Sequence, residues 1–346
     1  MGRDLISRPY GRFYYLPRHM AARGHEVYSL LLDYKSRGTV EQNRDGISWI
    51  SESLVLGTPV AYLKKLDHLV RKIKPDWIIG FSDTYFGIFA QYFSSKHTVR
   101  SCIDAYDNYE SYIPWMKPLH FYWRRALSNA DLVTAAGPGL AEHISLQRPG
   151  KPSAIVPMSA DPAGFVPMDK IECRRRMKLP ANRKLVGYFG ALHRSRDIDT
   201  LFAAVELLRA KDPAVQLVLS GRSQRGMPIP SSACALGYID DEKVPLLFNS
   251  MDTIAVTNKA SAFGNHSYPV KLYEAMSCHI PVAVTHTPAT EWILRDYPEL
   301  LAPLSDPGSL CKLIARNLDR KRIEYCGISN WDASGTAMEK AMLELS

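Results

Sequence analysis

Short apolar runs alternate with helix-length stretches along this 346-residue chain, and that alternation limits what it can fold into more than any other feature. Residues 77–80 form an apolar run after a basic helix expected around residues 60–74. Residues 98–103 form a second run, ending at Asp104. Residues 131–135 follow a helix expected around 118–128, and residues 154–157 come next. The second half repeats the scheme, with strands expected at 185–189, 215–220 and 251–256 and a helix from 198 to about 210. Strands and helices taking turns imply parallel sheets covered by helices on both faces. The length suits two domains, and the Pro-, Ala- and Asp-rich stretch 157–167 reads as the linker between them. The expected fold class is therefore α/β, with two Rossmann-like doubly wound domains facing a cleft. Their expected bounds are residues 1–160 and 161–330, with a closing helix within 331–346.

The start of the chain fits this scheme less well. A doubly wound domain opens with a buried strand, but residues 1–7 are short and charged. Residues 12–24 read as the first helix and residues 24–32 as the second strand. The expectation is a first strand that is stunted, or a truncated start. Loss of a central strand would expose sheet edges.

The chemistry concentrates in Ser267-Tyr-Pro-Val-Lys-Leu-Tyr-Glu-Ala-Met-Ser-Cys-His-Ile-Pro-Val-Ala-Val284. Pro269 is suited to the first turn of a helix, where its missing N–H is not needed. Lys271 and Glu274 then share one face. The N–H groups at that helix start, with Val270 among them, and the positive dipole end suit a phosphate. A cation for phosphate and a carboxylate for ribose hydroxyls together could hold a nucleotide. Residues 280–284 read as the buried strand that follows.

This segment resembles the donor site of GT-B-fold retaining glycosyltransferases, the group 1 family. The family pattern is Glu, seven residues, Glu, and then a buried strand; one branch writes it Pro-x-Lys-x-x-Glu, which this chain matches. The resemblance places Glu274 on the ribose, and His266 stands where the family has a Glu contacting the donor sugar. Gly190-Ala-Leu-His-Arg-Ser-Arg196 resembles the loop that holds the donor pyrophosphate. Arg196 falls on its Lys, Ala191 replaces its Arg, and Arg194 is the substitute cation. By the same resemblance Gly221 borders the nucleotide, Gly237 and Tyr238 lie beside the base, and Gly11 lets backbone approach the sugar and phosphate. Asp104 and Asp107, at a strand end, are expected to point into the cleft towards the transferred sugar or the acceptor. The closing helix is expected to cross back to the first domain.

The implied reaction moves a hexosyl group from a nucleotide diphosphate sugar, of UDP or GDP type, to a hydroxyl of a saccharide or lipid-linked acceptor. Retention of configuration and independence of metal are expected, with a place in cell-surface polysaccharide or glycolipid synthesis. Arg196 and Lys271 would stabilise the departing diphosphate. Asp197-Ile-Asp199 reads as an acidic helix start and not as a metal ligand pair. Gly137-Pro-Gly139 lacks the third glycine of a dinucleotide fingerprint. The six cysteines are scattered without a C-x-x-C pair, as in a reduced cytosolic protein. No signal peptide or transmembrane run is expected.

The net charge of +8 admits an anionic partner. No nucleic-acid-binding signature accompanies it, so nucleic acid is not expected. Arg12, Arg18 and Arg23, interleaved with Phe13, Tyr14, Leu16 and Met20 on the first helix, suggest a face for anionic lipid headgroups at the inner side of the plasma membrane. Two other functions compete with transfer: a non-catalytic nucleotide-binding scaffold of the same fold, and a sugar-nucleotide epimerase.

Overall fold

The computed structural model describes residues 4–34, 38–81 and 83–345. Met1–Arg3, part of the doubtful first strand, therefore lie outside the described residues. In chain order the first elements are α1 (Asp4–Ser7), α2 (Arg12–Ala22), β1 (Val27–Asp33), β2 (Val40–Arg44), β3 (Ile47–Ser53) and α3 (Leu54–Ile73). They are followed by β4 (Trp77–Phe81), α4 (Thr84–His97), β5 (Arg100–Ala105), α5 (Lys117–Asn129), β6 (Leu132–Ala135), α6 (Pro138–Ser145) and β7 (Ser153–Ile155). Next come α7 (Lys170–Met177), β8 (Lys184–Phe189), α8 (Ile198–Arg209), β9 (Val215–Ser220), β10 (Cys234–Ala235), α9 (Val244–Asn249) and β11 (Thr253–Val256). The chain closes with α10 (Val270–Ser277), β12 (Val282–Thr285), α11 (Pro288–Ile293), β13 (Leu301–Ala302), α12 (Pro307–Leu318) and α13 (Trp331–Leu343). These elements form two compact units: Met1–Met158 together with Ser329–Ser346, and Ser159–Ile328.

The Ser159–Ile328 unit is built on one six-stranded parallel sheet in the order β10-β9-β8-β11-β12-β13. Successive strand residues enter different cores, as the period of two requires. Val218, Ile254, Val282 and Val284 pack with Phe248, Leu272 and Met276, whereas Leu217, Leu219, Ala255 and Ala283 pack with Leu201, Val205, Leu310 and Ile314. Burial on both faces accounts for the unbroken apolar runs of β11 and β12.

The other unit departs from a single doubly wound sheet. Its described strands form a parallel sheet β4-β5-β6-β7 and a separate three-stranded sheet β1-β3-β2. β1 pairs parallel to β3, but β2 pairs antiparallel. The hairpin follows from Asp45-Gly46, whose φ values of 55° and 75° suit the tight turn that Asp-Gly favours.

Helix α2 corrects one expectation. Arg12, Tyr14, Leu16 and Met20 are buried and do not form a lipid-facing surface. The Arg12 guanidinium donates from Nε to Asp104 Oδ2 (2.8 Å), from Nη2 to Asp104 Oδ1 (2.7 Å) and from Nη1 to the Val156 carbonyl (3.1 Å). Helix α13 lies along α2. Gly335 permits the approach, because a Cβ there would come 2.3 Å from His19 Cγ. Glu339 of α13 accepts from Arg23 (3.1 Å) and contacts His25 Nε2 (2.8 Å).

Candidate functional site

Three strand ends and one helix start come together in the Ser159–Ile328 unit. β8 runs into Gly190, whose N–H donates to the Ser220 carbonyl (2.8 Å). β9 runs into Gly221, whose N–H donates to the Gly237 carbonyl (2.9 Å). Gly221 has φ +135°, and a Cβ on it would sit 1.9 Å from the Gly190 carbonyl oxygen, so this turn accepts no side chain. Gly190 has φ +148°, and a Cβ there would meet Lys271 Cε at 3.0 Å. The Lys271 side chain therefore lies across the end of β8, beside the loop that leads to Arg196.

Pro269 is the N-cap of α10 (φ −71°, ψ 118°), one position earlier than the first-turn placement expected from sequence. Val270 is the first helical residue. No side-chain hydrogen bond caps α10 and no acidic residue occupies its first turn, so the positive end of its dipole lacks these two usual partners among the described residues. His266 ends a short 3₁₀ turn, Gly264–His266, just ahead of the helix.

Glu274 lies one turn beyond Lys271. Its Oε2 is shut off from solvent and has no hydrogen-bond partner among the described residues. Burial raises its pKa; Lys271 opposes that shift and Asp161 adds to it. A buried carboxylate oxygen without a donor is costly, and a ligand offering hydroxyl groups would satisfy it.

Arg196 is held by residues that the sequence did not single out. Its Nη1 donates to Asn258 Oδ1 (3.2 Å) and Ser267 Oγ (3.4 Å), its guanidinium carbon stands 4.2 Å from the centre of the Phe263 ring, and its carbonyl accepts from Thr257 Oγ1 (2.6 Å). Thr257 and Asn258 directly follow β11. Polar residues just past the carboxyl end of a buried strand were the available signal. Arg194 is exposed in the 3₁₀ turn that His193 caps through the Ser195 N–H (3.2 Å). Tyr238 is exposed, with the Arg222 guanidinium 5.9 Å from its ring centre. Asp197 is buried and accepts from Thr200 Oγ1 (2.9 Å), whereas Asp199 faces solvent, so the two carboxylates do not converge.

The remaining candidates belong to the other unit. Asp104 is corrected: it is buried, its two oxygens bind Arg12, and Oδ1 also accepts from Thr134 Oγ1 (2.5 Å). It is a structural anion, not an acid open to a ligand. Asp107 accepts from the Tyr112 hydroxyl. Gly11, at φ 62°, is the N-cap of α2, and its carbonyl accepts from the N–H groups of Tyr14 and Tyr15.

Comparison with known proteins bears on the fold. Residues 183–320, which carry every strand of the six-stranded sheet, match the family model described as Glycosyl transferases group 1. A D-inositol 3-phosphate glycosyltransferase from Stackebrandtia nassauensis is 28% identical over 146 residues, covering 37% of this chain and 32% of that protein. The chain thus spans about a third of the length of that curated relative. Among solved structures, sucrose-phosphate synthase from Thermosynechococcus elongatus superposes with a TM-score of 0.75 at 18% identity, covering 100% of this chain and 94% of that one. Anabaena Alr3699/HepE in complex with UDP and glucose gives 0.68 at 15% identity, covering 98% and 92%. The chain has the GT-B fold of these glycosyltransferases.

Proposed function

We propose that this GT-B chain is a glycosyltransferase that moves a hexosyl group from a nucleotide diphosphate sugar to a hydroxyl, with retention of configuration. One observation carries the reading: Lys271 lies across Gly190 at a helix start without a side-chain cap, and one turn later Glu274 presents a carboxylate oxygen that has no donor among the described residues. The nucleotide diphosphate would set its phosphates against Lys271, Arg196 and the α10 N–H groups of Val270 and its neighbours. Its ribose hydroxyls would donate to Glu274. Gly221, Gly237 and Tyr238 are assigned to the nucleoside, and His266 and Gly11 to the sugar. As the glycosidic bond breaks, negative charge gathers on the diphosphate, and cations already fixed in place stabilise that charge without reorganising. Arg196 is fixed by Asn258, Ser267 and Phe263, and these cations perform the role for which a metal would otherwise be needed. We assign Asp107, and not Asp104, to the acceptor side. UDP is the proposed carrier, supported by the HepE complex.

The first test compares UDP and GDP by thermal shift on the wild type and on Glu274→Gln. UDP is expected to raise the wild-type Tm, and the variant is expected to lose most of that rise. Without nucleotide, the order of stability reverses. The folded-state pKa of Glu274 is raised, so its contribution is present below the unfolded value, about 4.3, and is lost as pH rises through the folded value. Glu274→Gln escapes that loss and should be the more stable protein at neutral pH. Wild-type UDP affinity in the variant, or a variant less stable than wild type without ligand, would refute the ribose assignment.

A saccharide or lipid-linked acceptor at the cytoplasmic membrane face remains part of the proposal, on a different surface from α2. Trp115, Phe121 and Tyr122, exposed at 73%, 61% and 57%, stand at or just before α5 beside exposed Lys117 and Arg125. Aromatic rings with cations suit an anionic interface. No helix of the described residues is long and apolar enough to cross a membrane. Trp115→Ser/Phe121→Ser is expected to weaken binding to phosphatidylserine-containing vesicles about tenfold or more. Unchanged vesicle binding would remove this surface from the proposal.

A further inference from the structure

A cavity of about 330 Å³ opens between α3 and one face of the β1-β3-β2 sheet. Strand register builds its floor. Tyr28, Ser48 and Asn43 are partners across β1, β3 and β2, and the pair Ile50 and Glu41 lies two residues away on the same face. Asn43 Oδ1 accepts from Ser48 Oγ (2.9 Å). Tyr28 is 40% exposed, and its hydroxyl is tethered by donating to Glu26 Oε1 (2.5 Å). Lys65, His68 and Lys72 line the cavity from α3. Their spacing of three and four residues puts them on one face of that helix.

The charge on that helix face is only partly answered. Lys65 Nζ donates to Glu41 Oε1 (2.7 Å). Arg71, on the same helix, pairs instead with Asp67, which also accepts from Lys96 Nζ (2.7 Å). His68 and Lys72 make no hydrogen bond or close ion pair among the described residues, and Lys72 draws on Glu41 only at longer range, behind Lys65. Like charges along one helix face repel, so a negative group beside Lys72 and His68 would relieve that face. The rest of the cavity is neutral and suits a ring. A sugar could lay its C–H face on Tyr28 and direct hydroxyls to Asn43, Ser48 and Glu41, the few placed polar groups that orient a small molecule. Its negative substituent would then meet Lys72 and His68.

We propose that this cavity binds a saccharide unit bearing one negative group, a carboxylate or a phosphate ester. It shares no residue with the donor site: its lining belongs to the Met1–Met158 unit, and Lys271 and Glu274 belong to the other. The test titrates the full chain with D-glucuronate, glucose 6-phosphate, glucose and inorganic phosphate, followed by ligand-observed NMR. The proteins compared are the wild type, Lys271→Ala and His68→Gln/Lys72→Gln. At least one of the two acidic sugars is expected to bind wild type and Lys271→Ala alike, and about tenfold or more weakly to the double variant. The tighter of the two identifies the negative group. Glucose and inorganic phosphate should each bind about tenfold or more weakly than that sugar. Tyr28→Ser should weaken the acidic sugar and leave inorganic phosphate unchanged. A double variant that binds like the wild type overturns the proposal, as does binding that disappears in Lys271→Ala, since the ligand would then sit in the donor site. Inorganic phosphate binding as tightly as the better acidic sugar, or a wild type that takes up neither acidic sugar, overturns it as well.

Discussion

Lys271→Ala is expected to lower turnover of the nucleotide diphosphate sugar by about 10²–10³, equivalent to ~3–4 kcal/mol of barrier. The size follows from placement. Lys271 crosses the end of β8 at Gly190, beside the uncapped start of α10, so its charge is aimed where the diphosphate is proposed to depart. Its neighbour Glu274 adds a second consequence: removing the ammonium removes the charge that opposes the raised pKa of that carboxyl. The variant should therefore lose nucleotide affinity as well as turnover. Circular dichroism should report an unchanged fold, since Lys271 is not in the core. Arg194→Ala, at an exposed turn position, should cost less. Near-wild-type turnover by Lys271→Ala would remove this site from the mechanism.

Arg12→Ala should destabilise the protein by about 3–5 kcal/mol, because it leaves Asp104 charged, buried and without its bidentate partner. For a unit of this size that corresponds to a fall in Tm of roughly 10 °C. Asp104→Ala should fall similarly, since it strands the guanidinium instead. A double replacement, Arg12→Leu with Asp104→Leu, should recover much of the loss, because an apolar pair carries no desolvation penalty. Thermal melts of the four proteins decide the matter. If Asp104→Ala melts like the wild type but abolishes transfer, the carboxylate is chemical and its structural assignment is wrong.

That ion pair also shows where sequence reading stops. β8, β9, β11 and β12 could be read because burial on both faces writes itself as an apolar run, and the alternation with helices implies parallel sheets. The Pro269-x-Lys271-x-x-Glu274 string could be read because its parts lie within six consecutive residues at one helix start. Asp104 could not, since its partner is 92 residues away in sequence and a strand-end acid looks the same whether it faces solvent or a buried arginine. The misreading of α2 has the same source: arginines on a helix suggest a wet face until a distant carboxylate draws one inside. Arg196 was visible as a cation, but Phe263 and Asn258, which aim it, lie more than sixty residues on. The Asp45-Gly46 dipeptide marks a hairpin, and the antiparallel pair it makes departs from the uniform parallel scheme that the alternation implies.

A methyl group at position 221 would overlap the carbonyl of residue 190, so the two turns are packed backbone against backbone. If the proposed nucleotide seats there, it would meet turns already in place. Little conformational freedom would then be surrendered on docking, and discrimination among carriers would fall to shape and charge, not to ordering of the chain.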